Sequence, residues 1–204
     1  MDNSAGRKVG LLGGSFDPVH NGHLAIAQSF LDSGYISELW ILLTPDPPHK
    51  TDKNQAEYHF RLEMLRSAFQ NFDQVTVKEI EKKLPRPSYT VKTLQYLKDK
   101  YPNTQFYLCL GEDSALEFTE WRNWEAILNY CDLLVAHRPV NGDDSAEFEI
   151  DERVKPHIHF VDHQKVDISS TEIRQRLKNG KRTEELLPSG VIDIINEQHL
   201  YQNQ

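Results

Sequence analysis

His20 and His23 stand three residues apart in the run Gly13-Gly14-Ser15-Phe16-Asp17-Pro18-Val19-His20-Asn21-Gly22-His23. At that spacing two imidazoles lie one turn apart on the same side of a helix. They would offer N–H donors to an oxyanion. Gly13 and Gly14 allow the backbone to approach a ligand closely, and Pro18 stiffens the turn. A helix starting near His20 would turn free amides and the positive end of its dipole toward an anion. Paired glycines after a strand ordinarily make only a tight turn, and one histidine near a helix start is ordinarily a surface residue or a cap. The combination within eleven residues points to the handling of nucleotide phosphates. It is not a Walker loop, whose Lys-Ser/Thr pair is missing, nor a dinucleotide fingerprint, whose glycine spacing is absent.

Four further constellations could join that chemistry. Thr44-Pro45-Asp46-Pro47-Pro48-His49-Lys50 is a proline-stiffened loop ending in two candidate cations, with Lys50 as a mobile point charge. Pro87-Ser88-Tyr89-Thr90 precedes an apolar helical pattern, so its amides face outward at a helix start. Gly111-Glu112-Asp113 follows a strand-like run and is followed by Trp121, which by itself reads as a core residue. Ile168-Ser169-Ser170-Thr171-Glu172-Ile173-Arg174 has the pattern of a capping box, and its hydroxyls and first amides could also cradle an anion, with Arg174 one turn on. Cys109 and Cys131 lie in or beside apolar runs with no second ligand at metal-site spacing, and read as reduced packing residues.

The elements needed to position these groups are legible in the apolar pattern. Strand-like runs occur at 9–12, 39–43, 75–77, 106–110, 133–136 and 158–161, and helical spacing at 24–31, 60–69, 91–97 and 124–128 falls between them. This alternation predicts an α/β fold, a doubly wound parallel sheet with helices on both faces. Ligands in such sheets bind beyond the carboxyl ends of the strands, where the strand order reverses. The glycine-histidine segment leaves the carboxyl end of the first strand. Two more helices close the chain, one capped at Ser169 and stopped by Gly180, the other from Pro188 to Leu200. The acidic run Asn141-Gly142-Asp143-Asp144-Ser145 reads as solvated surface.

A chain of 204 residues supports one good core, so a single domain over 1–204 is expected, with an α/β core over 8–166 and helices over 167–204 completing the nucleotide site. The formal charge of −8 argues against a general nucleic-acid binder. No stretch reaches the ~18 apolar residues of a membrane span. The polar start Met1-Asp2-Asn3-Ser4 has no signal-peptide apolar region. A soluble, cytoplasmic protein with no membrane or nucleic-acid partner is therefore expected, with self-association left open.

The His20-Asn21-Gly22-His23 element resembles the H-x-G-H signature of the nucleotidylyltransferase superfamily, and Gly13 to Leu24 closely matches its nicotinate mononucleotide adenylyltransferase branch. Pro47-Pro48-His49-Lys50, Ser88-Tyr89-Thr90 with Thr93-Leu94, and Ile168-Ser169-Ser170-Thr171 with Arg174 fit the same family, and Arg138-Pro139 adds a weaker match. The resemblance implies a Rossmann-like fold and transfer of an adenylyl group from ATP to nicotinate mononucleotide. It further implies that His20, His23 and Arg174 are catalytic. Gly13, Gly14, Ser15, Phe16, Gly22, Gly111, Asp113, Ile168, Ser169, Ser170 and Thr171 would bind ATP. Asp17, Lys50, Ser88, Tyr89, Thr90 and Trp121 would bind the mononucleotide, with Trp121 against the pyridine ring and Asp113 on ribose hydroxyls. Mg²⁺ is expected to arrive with ATP, with no protein side chain as ligand. The chain departs from the family at Leu84-Pro85-Arg86-Pro87, where a shorter glycine-containing turn is commoner, and at Glu112, where a small residue is usual. Three rivals remain: a sibling transferase using nicotinamide mononucleotide, phosphopantetheine or a cytidylyl donor; a hydrolase with a metal on Asp17, His20 and His23; and a non-catalytic nucleotide sensor. The Pro-Pro-His-Lys and Ser-Tyr-Thr segments favour the nicotinate branch over its siblings, and Pro18 and Gly22 wrap the three metal candidates around a turn.

Overall fold

Six parallel strands, β1 (Lys8–Gly14), β2 (Glu38–Leu43), β3 (Val75–Lys78), β4 (Gln105–Gly111), β5 (Cys131–His137) and β6 (Ile158–Asp162), form one sheet in the order β3-β2-β1-β4-β5-β6. The computed structural model describes residues 6–45, 55–137, 150–164 and 166–202. Among the described residues seven α-helices surround the sheet: α1 (Asn21–Asp32), α2 (Tyr58–Ala68), α3 (Thr90–Lys100), α4 (Glu112–Leu116), α5 (Trp124–Leu128), α6 (Ser170–Lys178) and α7 (Ser189–Glu197). The expected α/β architecture is thus the observed one.

The central strands are apolar along their whole length because both faces are covered. Leu39, Ile41, Leu43, Tyr107, Cys109, Leu134 and Ala136 pack with residues of α1, α2, α6 and α7. Val9, Leu11, Trp40, Leu42, Phe106, Leu108, Leu133 and Val135 pack with α3 and α5. Gly10 in β1 is required by this packing, since a Cβ there would meet Ile36 at 2.6 Å and Cys109 Sγ at 2.9 Å. Both cysteines are free and buried, and burial pushes the Cys131 thiol up to about 12.

The chain runs outward from β1 through β2 to β3, then returns to place β4 on the other side of β1. The reversal therefore lies between β1 and β4. Because α1, α3 and α4 follow β1, β3 and β4 in the chain, their amino ends lie on the carboxyl edge of the sheet, where such a reversal opens a crevice.

Helix α1 begins at Asn21 with His20 as its N-cap, where the two histidines were expected to open it. Two details differ from the sequence expectation. Helix α4, directly after β4, was not foreseen. Its five residues Glu112–Leu116 include one buried side chain, Ala115, too few to make a periodic signal. At α6 only half of the capping box forms: Ser169 Oγ accepts from Glu172 N at 3.1 Å, while the Glu172 carboxylate takes Arg176 at 2.7 and 3.0 Å. A charge-assisted pair at i,i+4 outcompetes a neutral backbone donor for that carboxylate.

Candidate active site

The turn from β1 into α1 is shaped by its small residues. A Cβ on Gly13 would point into open space, whereas one on Gly14 would lie 3.0 Å from the Phe16 ring. Phe16 itself has a φ of 44° and is buried, a conformation a bulky residue adopts only when its surroundings hold it there. Its ring meets His23 edge-on at 4.9 Å. The Asp17–Pro18 peptide is cis.

His20 is the N-cap of α1, and its backbone N–H donates to His23 Nδ1 at 3.2 Å. The two rings lie 3.7 Å apart, tilted by 31°. An accepting Nδ1 places the proton of neutral His23 on Nε2, so that nitrogen is the donor it has to offer. Gly22 makes room for the pair, because a Cβ there would crowd His20 Nδ1 at 3.1 Å. The glycine between the histidines is thus explained by sterics alone.

His20 is buried, and among the described residues its Nδ1 has no hydrogen-bond partner. Burial lowers its pKa to about 4. It therefore stays a neutral donor through the physiological range. The unfolded chain binds a proton at the ordinary histidine value near 6.5, so between about 6.5 and 4 the unfolded state holds the extra proton and is favoured. This contribution to stability is whole above pH 6.5 and is lost as pH falls through about 4. Urea midpoints measured at pH 7.5 and 4.5 are expected to drop less for His20→Asn than for the wild type. An equal drop would assign the acid sensitivity to other groups.

The start of α6 is docked directly on this turn. Ser170 Oγ donates to Pro18 O at 3.0 Å, and Arg174 Nη1 donates to Asp17 O at 2.8 Å, with Nη2 3.4 Å from Thr171 Oγ1. Residues more than 150 positions apart are thereby brought together. Asp17, expected among the mononucleotide ligands, instead has its carboxylate buried in the frame. Oδ1 accepts the Ala56 N–H at 3.0 Å and the Tyr201 hydroxyl at 2.6 Å, and Oδ2 lies 3.7 Å from Arg174 Nη1.

On the far side of the crevice Gly111 caps α4, Asp113 is exposed, and Glu112 pairs with His137 Nδ1 at 2.6 Å across the ends of β4 and β5. The carboxylate that departs from the family pattern therefore has a hydrogen-bond partner within the fold. At α3, Tyr89 is the N-cap and no described side chain caps the helix. The Ser88 hydroxyl donates to Glu81 Oε2 at 3.4 Å, and burial raises the Glu81 pKa against the bonds from Thr44 and Ser88. Arg122 lies 4.6 Å over the Tyr89 ring and donates to its hydroxyl at 3.1 Å, so the segment carrying Trp121 is tied to the start of α3. Trp121 is half-buried, 5.7 Å from Phe118. Lys50 and Arg138 lie outside the described residues.

Arg61 is the principal residue the sequence reading missed. It is fully buried, and its guanidinium donates to Ser15 O, Thr44 O, Pro45 O and Ala56 O at 2.8 to 3.0 Å. It joins the glycine turn to the end of β2 and to both flanks of 46–54. Its place on the apolar side of α2, with Leu62, Met64, Leu65 and Ala68, was the available signal: a charge on a core face must be bonded there. Among the described residues no group of three or more His, Cys, Asp or Glu is placed to hold a metal ion.

A family model described as cytidylyltransferase-like matches residues 11–176, the span from β1 through Arg174 that builds this site. A protein of Flavobacterium johnsoniae described as a "probable nicotinate-nucleotide adenylyltransferase" is 38% identical over 95% of this chain and 98% of its own. One of Bacillus pumilus with the same description is 33% identical over 97% of this chain and 100% of its own. Among solved structures, the nicotinic acid mononucleotide adenylyltransferase of Plasmodium falciparum superposes with a TM-score of 0.77, covering 96% of this chain and 97% of its own at 22% identity, which shows the shared fold. With similarity running the length of the chain and the histidine turn, the β4 end and the α6 start gathered at one crevice, the chain belongs to the nicotinate-nucleotide adenylyltransferases of the cytidylyltransferase-like family.

Proposed function

We propose that the protein transfers the adenylyl group of ATP to nicotinate mononucleotide, forming deamido-NAD and pyrophosphate in the cytoplasmic synthesis of NAD. The observation that carries this reading is the docking of Arg174 and Ser170 onto the carbonyls of Asp17 and Pro18, just ahead of the histidine pair. It gathers a guanidinium, a helix start and two imidazoles where triphosphate charge must be held. The mononucleotide phosphate oxygen attacks the α-phosphorus in line, the new P–O bond forms, and the bond to the pyrophosphate oxygen breaks. No covalent enzyme intermediate is needed, so catalysis rests on positioning and charge stabilisation. His20 and His23 donate to phosphate oxygens as neutral imidazoles. Ser169, Ser170, Thr171 and the α6 amides cradle the β and γ phosphates, with Mg²⁺ carried in by ATP. Gly13, Gly14 and Gly111 admit the nucleotide, and Asp113 takes ribose hydroxyls. The uncapped start of α3 at Tyr89 and Thr90 receives the nicotinate carboxylate while Trp121 stacks on the ring. The test is product formation from ATP with each of the two pyridine mononucleotides side by side. A stronger rate with nicotinamide mononucleotide would overturn the substrate assignment.

Arg174→Ala is expected to raise KM for ATP and lower kcat by about 10²-fold, with the KM for mononucleotide little changed. Lysine would restore little, because a point charge cannot keep the bond to Asp17 O and also make a planar contact with phosphate. Steady-state kinetics with each substrate varied checks this, and equal losses toward both substrates would move Arg174 away from the phosphates.

A further inference from the structure

We infer that Tyr201, at the end of the chain, is a positioning residue that sets the Arg174 guanidinium through Asp17. The inference rests on the phosphate role of Arg174 proposed above.

Tyr201 is delivered to this place by a rigid element. Helix α7 crosses α2 so closely that a Cβ on Gly190 would fall 2.2 Å from Ser67 Oγ, and Val191, Ile194 and Ile195 are buried beneath it. After α7 the chain turns back, with Leu200 N donating to Ile195 O at 3.0 Å and Tyr201 at a φ of 61°. A left-handed backbone at a tyrosine is costly and persists where other contacts over-determine it. The contact here is the hydroxyl, 2.6 Å from an oxygen of Asp17, a residue 184 positions earlier.

The geometry around Asp17 shows what that hydroxyl controls. The carboxylate is buried, so each oxygen needs partners. Oδ1 receives the Tyr201 hydroxyl and the Ala56 N–H. Oδ2 is left facing Arg174 Nη1 at 3.7 Å, beyond hydrogen-bond range, while that same Nη1 donates to Asp17 O at 2.8 Å. Two donors on Oδ1 therefore hold the carboxylate plane where it attracts the guanidinium without closing on it. A carboxylate turned fully onto the guanidinium would compete with a phosphate for its N–H donors. Burial and the adjacent carboxylate both push the Tyr201 pKa upward, which keeps the hydroxyl protonated and donating. Without that donor, Oδ1 is under-satisfied and the carboxylate gains by turning onto Arg174.

The experiment is a double-mutant cycle of Tyr201→Phe and Arg174→Ala in the full chain, with kinetics for both substrates and calorimetric titration of Mg-ATP. Phenylalanine keeps the ring and its packing, and melting curves fix a temperature at which every variant is folded. Tyr201→Phe alone is expected to lower kcat/KM for ATP by about 10-fold and to weaken ATP binding, with KM for mononucleotide unchanged. In the Arg174→Ala background it should change nothing further, an outcome that a purely structural role would not produce. Additive losses, equal effects on both substrates, or wild-type ATP binding by Tyr201→Phe would each overturn the inference. If the wild type itself formed no deamido-NAD, the proposed function would fail separately, and the ATP titrations would still decide the role of Tyr201.

Discussion

His23→Ala is expected to lower turnover by about 10²–10³-fold while leaving the melting temperature close to that of the wild type. His23 is half-buried in the first turn of α1, where its loss removes a ring that stacks on His20 and meets Phe16 edge-on. In the proposed reaction it acts through Nε2–H, since Nδ1 accepts the His20 amide. That donor acts on charge that develops as pyrophosphate leaves, so kcat should fall far more than substrate affinity. His23→Asn keeps an N–H donor but not its reach, and should recover only a small part of the rate. Single-turnover measurements with ATP and nicotinate mononucleotide read this directly. A His23→Ala enzyme with turnover within a few-fold of wild type would remove the residue from the mechanism. His20→Ala is a less clean experiment, since His20 is buried and its loss opens a cavity under the turn.

Arg61→Ala is expected to destabilise the protein by about 3–5 kcal/mol, the largest stability change of any substitution considered. Four backbone carbonyls lose their donor at once: Ser15 O, Thr44 O, Pro45 O and Ala56 O. Each belongs to a segment with an irregular path, so sheet or helix hydrogen bonds cannot replace the guanidinium. Arg61→Lys can serve one or two of these acceptors and should recover part of the loss. The measurement is the urea midpoint and slope at pH 7.5, above the window in which His20 affects stability. A loss below about 1 kcal/mol would mean that water satisfies the carbonyls, which happens only where buried groups regain solvent. Activity per folded molecule should also fall, because Arg61 ties the glycine turn to both flanks of 46–54.

The strand runs, the crossover helices and the turn between β1 and α1 were legible in the chain because they are local. Apolar periodicity reports burial of a face, and Gly14 and Gly22 mark places where a Cβ would crowd a neighbouring ring. The spacing of His20 and His23 likewise survives into the structure, since one helical turn fixes it. The resemblance at Ser169 to Arg174 was equally local, but the sequence could not say what that helix start rests on. Only the tertiary structure decided that the Asp17 carboxylate is buried against Ala56, Tyr201 and Arg174, that Glu112 pairs with His137, and that Arg61 and Tyr201 reach the turn after β1. Their partners are 25 positions away for Glu112, up to 46 for Arg61 and 184 for Tyr201. Periodicity determines which face of an element is buried. The pairing of buried polar groups depends on which elements meet: the ends of β4 and β5 for Glu112 and His137, the β1 turn and the end of β2 for Arg61, and the β1 turn and the segment after α7 for Tyr201.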